Sequence, residues 1–414
     1  VSLTLALGGL VGGLAGLQLY QASRQLADRS LFYLGRSRAE ERALSRAAGV
    51  DLARFAVLAQ RVVWGVLQPD LIRVDVAAAS QRLLAELPDF FGSHLVVAFA
   101  ERAHGRPDAA DQALGRARAL LAARPGEDPF AYVMPTPAEW ACEPPAPHLE
   151  EIVPDQIWRV SAYYTHGLCP FHEFAYATLI RRPSGQLILI NPVDMPPELH
   201  ARVAQLGPVS HLVIPLKFHN LFIAGAQRAF PAAQTIGVAG HRKNPPSAHL
   251  HLDAVLDDRA PLFPGELEQL QLGGHQFEET VFFHPATSTL ILHDLLFGSQ
   301  PGVPGYSFWW RLYCFVFGVH DGFAIPSYQP MLWTNVLALR QSVARMLAWR
   351  PERALVAHAP AAALATGAHQ HLDRACAWIT QLGPADYAVL VGAYFRQQPG
   401  FLRDLLRYLV RQGL

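Results

Sequence analysis

Three histidines and one aspartate stand at or near the ends of strand-like runs: His219 after HLVIPLKF, His275 in the turn GGHQF, Asp294 after STLIL and His358 after RALV. Imidazole and carboxylate are the donors that a Zn²⁺ or Fe²⁺ ion takes, three or four at a time, with one position left for water. Strand ends are where a layered α/β fold gathers reacting groups, because loops converge there while the sheet holds their bases rigidly. A lone histidine is more often simply hydrogen-bonded within a fold. The order and setting of all four together make a candidate metal centre.

Other chemistries lose ground. There is no GxSxG elbow, no GxxxxGK[ST] loop and no GxGxxG after a strand-like run. The four cysteines, Cys142, Cys169, Cys314 and Cys376, are far apart without a CxxC pair, which leaves free thiols as the default. His249, His251 and Asp253 in AHLHLD imitate a ligand motif. They follow Pro245-Pro246 and run into AVLDD without a glycine and helix, so a solvated strand or loop face is the better reading. His284 and His293 flank the run that ends at Asp294. His293 should point away from Asp294 by strand alternation, behind the site at best.

The elements that must position these groups begin after Ile152. Short apolar runs such as YATLIRR, GQLILINP, HLVIP, ETVFFH and STLILHD read as strands, and PPELHARVAQLG and TNVLALRQSVARMLAW between them read as helices. Upstream, residues 24–130 have apolar residues at three- and four-residue spacing, as in DLARFAVLAQRVVWGVL, and predict a small all-helical region. Within it, residues 90–126 resemble a tetratricopeptide-type hairpin; the choice lies between a protein-docking unit and a plain helical spacer. Residues 131–151 are proline-rich and predict an extended linker. Residues 384–414 read as a C-terminal helical appendix.

Residues 1–23 carry no charge and are long enough to cross about 30 Å of hydrocarbon as a helix, so a single-pass transmembrane anchor is expected there. Arg24, Arg29, Arg36 and Arg38 follow with only Asp28 against them, which places the bulk of the chain on the cytoplasmic side. The aromatic segment 305–323 could dip into a membrane interface or serve as a lid or core helix; the second fits its length and its internal Arg311 and His320 better.

Over its 414 residues the chain is 51% hydrophobic and 16% charged, which excludes a disordered or collagen-like chain. Basic and acidic residues balance at 34 each, so no chain-wide field draws it to nucleic acid. The basic side is almost all arginine, with Lys217 and Lys243 the only lysines.

Over about residues 152–382 the chain resembles the metallo-β-lactamase superfamily, and most closely an uncharacterised family of unknown function within it. The family's HxHxDH motif falls on Lys217, His219, Leu221 and Phe222 in IPLKFHNLFIAG, where only the second histidine is kept. Its downstream histidine matches His275, its strand-closing aspartate Asp294, its final histidine His358 and its early strand-end aspartate Asn191. The resemblance implies an αββα sandwich with the site along one edge. It implies His219, His275, Asp294 and His358 as ligands of one Zn or Fe ion, with the binuclear centre lost. Asp294 and His358 would then act on water and oxyanion, and Lys217 would hold an anionic substrate group. The alternative has no metal, with the Lys217 ammonium paired to Asp294 in its place. Three classes stay open: a mononuclear-metal hydrolase of an ester, amide or phosphoester, a non-catalytic binding or scaffold protein, and an adaptor working through residues 24–130.

Overall fold

The structure is a computed structural model. It describes residues 15–397 apart from 23–28, 31–32, 35, 70–73, 125–127, 144–145, 166–167, 244–246 and 321. Two mixed β-sheets carry the fold. The larger has seven strands in sequence order: β1 His148–Val153, β2 Ile157–Tyr164, β3 Glu173–Arg181, β4 Leu187–Ile190, β5 Val209–Ile214, β6 Gln234–Gly237 and β7 Ala254–Val255. β1 to β4 pair antiparallel and β4 to β7 parallel. The smaller runs in the order β13 (Arg353–Val356), β10 (Thr289–Leu292), β9 (Thr280–His284) and β8 (Glu268–Gln271), with β10 and β13 parallel. β11 (Phe297–Ser299) and β12 (Gly322–Ala324) form a separate ribbon.

Strand alternation sets the layers, because successive side chains leave a strand on opposite faces. In β4, Ile188 and Ile190 turn inward with Val213, Ile236, Phe282, Ile291 and Leu355 to fill the space between the sheets. Leu187 and Leu189 turn outward and pack with Leu199 and Val203 of α6 (Pro197–Leu206) and Ala226 of α7 (Ile223–Ala229). On the far side, Val281, Phe283, Leu290, Leu292 and Val356 share a core with Leu339, Val343 and Met346 of the helix Val336–Ala348 and with Leu372 of Ala368–Cys376. The result is helix, sheet, sheet, helix. This is the layer order that the resemblance implies.

The N-terminal helices are α1 Arg38–Ala48, α2 Leu52–Leu67, α3 Val76–Glu86, α4 Phe91–Ala103 and α5 Pro107–Ala122. Asp51 starts α2 by accepting from Arg54 N at 3.0 Å, and α2 is buried on nearly every side. Its partners include α8 (Phe308–Val316), where Phe315 lies 5.0 Å from Phe55 between ring centroids and the Val316 carbonyl accepts from Gln60 Nε2 at 3.1 Å. Phe99 of α4 stacks on Trp309 at 4.9 Å. The aromatic segment is thus a core helix, and the helical region shares one continuous core with the smaller sheet.

The proline-rich stretch 131–151 differs from the extended linker expected of it. Pro137 opens a helical turn, Pro137–Trp140, capped reciprocally by Thr136 and Glu139, and β1 already begins at His148. Val133 and Trp140 are buried, and Glu139 pairs with Arg311 of α8 at 2.9 Å. Of the expected anchor, residues 1–14 and 23 lie outside the described residues, and residues 15–22 are helical. Among the described residues no helix is long and apolar enough to cross a membrane. The appendix begins as the helix Pro384–Gln397; residues 398–414 lie outside the described residues.

Candidate metal centre

β4 and β5 run parallel, as do β10 and β13, so the loops that follow them emerge from C-terminal strand ends. Asn191 follows β4, His219 follows β5, Asp294 follows β10 and His358 follows β13. One ligand atom each from His219, Asp294 and His358 lies within 4.8 Å of the others. His219 Nε2 is 3.1 Å and His358 Nε2 3.5 Å from Asp294 Oδ1. That oxygen is buried, yet among the described residues no hydrogen bond reaches it.

Each donor is fixed from behind. Asn191 stands at φ 57°, a left-handed conformation that asparagine tolerates, and its N–H donates to Val213 O at 2.9 Å. Its Nδ2 donates to Tyr176 O at 2.9 Å, which turns Oδ1 toward His219 Nδ1 at 2.8 Å. His358 stacks on Trp310 at 4.7 Å and 24°, and Trp310 is held by its Nε1 donating to Gly298 O at 2.9 Å. The buried Arg159 guanidinium donates to Val356 O and Ala359 O, both at 2.7 Å, clamping the loop that carries His358. Burial lowers the Arg159 pKa to about 10, which leaves it charged at neutral pH. The Glu279 carboxylate accepts the N–H groups of His293, Asp294 and Leu295 at 2.7, 3.1 and 2.8 Å. Burial, then the Asp294 charge, pushes Glu279 up to about 8.

The electrostatics follow from the packing. Burial would raise Asp294, but His219 and His358 hold its carboxyl far below the usual range. Burial pulls His219 down, and the Asp294 charge outweighs it, so His219 is raised.

His275 does not join this cluster. Its Nδ1 accepts from Phe277 N at 3.1 Å and its Nε2 faces Gln329 Oε1 at 2.7 Å, so both ring nitrogens are engaged. Burial lowers its pKa to about 4. Gln329 Nε2 in turn donates to Asp294 O, making His275 a support behind the loop. The glycine before it serves a close approach: Gly274 has φ 70°, and a Cβ there would sit 1.9 Å from Asn335 O.

For Lys217, the metal-free alternative of an ammonium paired with Asp294 is not met. Asp294 is paired with the two imidazoles, not with the ammonium, which lies 5.3 Å from the Phe218 ring centroid. Burial lowers the Lys217 pKa, and the Glu278 charge opposes that. His293 sits behind the site, its ring buried and 6.1 Å from that of His219. His251 and Asp253 form an exposed pair at 3.0 Å, and Asp253 accepts from Thr235 N at 2.7 Å, a strand-edge cap. Asn191 carried a positional match without a role, while Glu279, Gln329, Trp310 and Arg159 gave no local signal; their partners are distant in sequence.

The cluster opens on a cavity of about 500 Å³. Trp64 and Leu67 of α2 and Trp309, Trp310 and Tyr313 of α8 form much of its wall, with Phe218, Leu221, Phe222 and Phe277 around the His219 loop.

The layers and the strand-end donors define a four-layer α/β protein with a candidate mononuclear metal centre. Solved structures similar to part of the chain are metallo-beta-lactamases. One from Pontibacter korlensis is 11% identical, with 57% of this chain and 100% of that one covered and a TM-score of 0.40. One from Hirschia baltica is 12% identical, covering 57% and 98% at 0.40. FIM-1 from Pseudomonas aeruginosa, in its mono-zinc form, is 12% identical, covering 59% and 97% at 0.40. At these values the likeness stands as a likeness, and the site rests on its own geometry. No family model and no curated protein matches the sequence.

Proposed function

We propose that the chain is a divergent metallo-β-lactamase-like hydrolase that binds one Zn or Fe ion through His219, Asp294 and His358 and acts on an ester, amide or phosphoester. One observation carries the reading. The Asn191 amide, oriented by Tyr176 O, obliges His219 Nδ1 to be the protonated nitrogen. Neutral His219 therefore presents a lone pair at Nε2 toward a buried carboxylate oxygen 3.1 Å away. Two acceptors at that distance repel unless a cation lies between them or the ring is protonated. Two imidazoles and a carboxylate suit Zn or Fe.

When bound, the ion supplies a water of pKa near 7 and polarises a carbonyl or phosphoryl oxygen. The chain's own groups do the rest. Asn191 sets the His219 tautomer, Trp310 and Arg159 fix His358, and Glu279 holds the backbone beneath Asp294. The aromatic wall limits water around the reacting atoms.

A second reading is a non-catalytic ligand-binding protein in which His219 is an imidazolium paired with Asp294; the 3.1 Å separation and the raised His219 pKa favour it. Metal analysis of the full chain purified without chelator separates the two. The hydrolase reading expects about one equivalent of Zn or Fe, lost in His219→Ala and in Asp294→Ala; a metal-free wild type would reject it. The membrane attachment of residues 1–23 and the docking role of residues 90–126 have the sequence alone behind them.

A further inference from the structure

We infer that the cavity beside His219 and Asp294 takes a neutral, hydrophobic acyl or aryl group, so that the substrate is an uncharged ester or amide with an apolar substituent; this rests on the hydrolase reading above. The wall is aromatic and aliphatic, with Trp64 and Leu67 on one side and Trp309 and Tyr313 on another. Its polar members away from the metal cluster, the amides of Gln68, Asn220 and Gln276 and the hydroxyls of Tyr164, Tyr313 and Tyr328, are neutral. Among the described residues no lysine or arginine lines it, and the only carboxylate is Asp294. Lys217 does not line it, although Phe218, the ring beneath its ammonium, does.

An anionic substituent placed away from the cluster would lose its hydration and gain no counter-ion, whereas an apolar group gains by leaving water. The volume of about 500 Å³ falls in the range that encloses a drug-sized ligand. At the rim, Leu221 is 66% and Phe218 36% exposed, so the apolar surface continues outward. Hydrolysis of such a substrate puts the hydroxyl of water on the acyl carbon and its remaining proton on the departing alkoxide oxygen or amine nitrogen, and needs no other reactant.

The test uses the full chain and a matched pair of fluorescent probes, N-phenyl-1-naphthylamine and its sulfonated analogue 1-anilinonaphthalene-8-sulfonate, titrated with chelator and again with one equivalent of Zn. The neutral probe should bind at least about tenfold more tightly in both states. Leu221→Lys and, independently, Phe218→Lys should narrow that ratio by about threefold or more, because each adds a cation at the rim. Equal or tighter binding of the sulfonate by wild type, or a ratio that neither lysine variant moves, would overturn the inference. Tight binding of the neutral probe together with no metal uptake would uphold the apolar cavity and reject the metal hydrolase, so the two failures are distinguishable.

Discussion

His219 Nδ1 lies 2.8 Å from Asn191 Oδ1, and that contact decides what the imidazole offers on its other side. Because the Asn191 amide is itself oriented by donating to Tyr176 O, the assignment does not depend on Asp294 at all. A strand-end residue of the larger sheet thus sets the chemistry of a donor on the next loop.

Asn191→Ala removes the acceptor that fixes the tautomer and should weaken metal binding by about 10–100-fold, the usual effect of losing such a supporting group. Competition with a chromophoric chelator measures it, with circular dichroism confirming the fold. Unchanged affinity would show that His219 is oriented by something else.

His275→Ala separates a ligand from a support. Its nitrogens serve Phe277 N and Gln329, so the variant should keep its metal while losing about 1–3 kcal/mol of stability through unpaired buried groups. Metal content and urea unfolding read the two effects separately; loss of the ion in a well-folded variant would restore His275 to the ligand set.

Arg159→Met leaves the Val356 and Ala359 carbonyls without their donor. The expected cost is about 2–4 kcal/mol, with weaker metal binding because the His358 loop is released. A variant that loses stability and keeps full metal affinity would show that the clamp serves the fold alone.

His320 is buried against Tyr33 and Phe130, at 5.0 and 4.7 Å between ring centroids, and burial lowers its pKa to about 3. The unfolded chain, with an ordinary histidine near 6.5, binds the proton first. Stability tied to this group is therefore fully present above about pH 6.5 and is lost as pH falls toward about 3, at up to about 1.4 kcal/mol per unit. Urea midpoints across that window should fall less steeply in His320→Phe than in wild type. Parallel slopes would mean that His320 is not neutral in the folded state.

The layered architecture is legible in strands such as LILI of β4, where each face needs its own apolar set and the residues alternate to supply it. The placement of His219, Asp294 and His358 is legible too, since each lies within five residues of the C-terminal end of a strand that sheet pairing must bring to an edge. His275 misleads because a Gly-Gly-His turn reads as a ligand turn, while its true partner, Gln329, lies 54 residues on with no local mark. The alternative pairing of Lys217 with Asp294 fails because a position in a motif says nothing about where a long side chain turns. The union of the helical region with the α/β layers is invisible for the same reason: contacts such as Phe55 with Phe315 have no periodicity to betray them.

The wall contributed by Trp64 and Leu67 comes from a helix far upstream of every group that would react. What enters and what happens to it are thus written in separate stretches of chain. Sequence drift in α2 can retune selectivity while the reacting atoms stay as they are, and a fragment cut at residue 148 would keep those atoms yet forfeit one side of the chamber that chooses their guest.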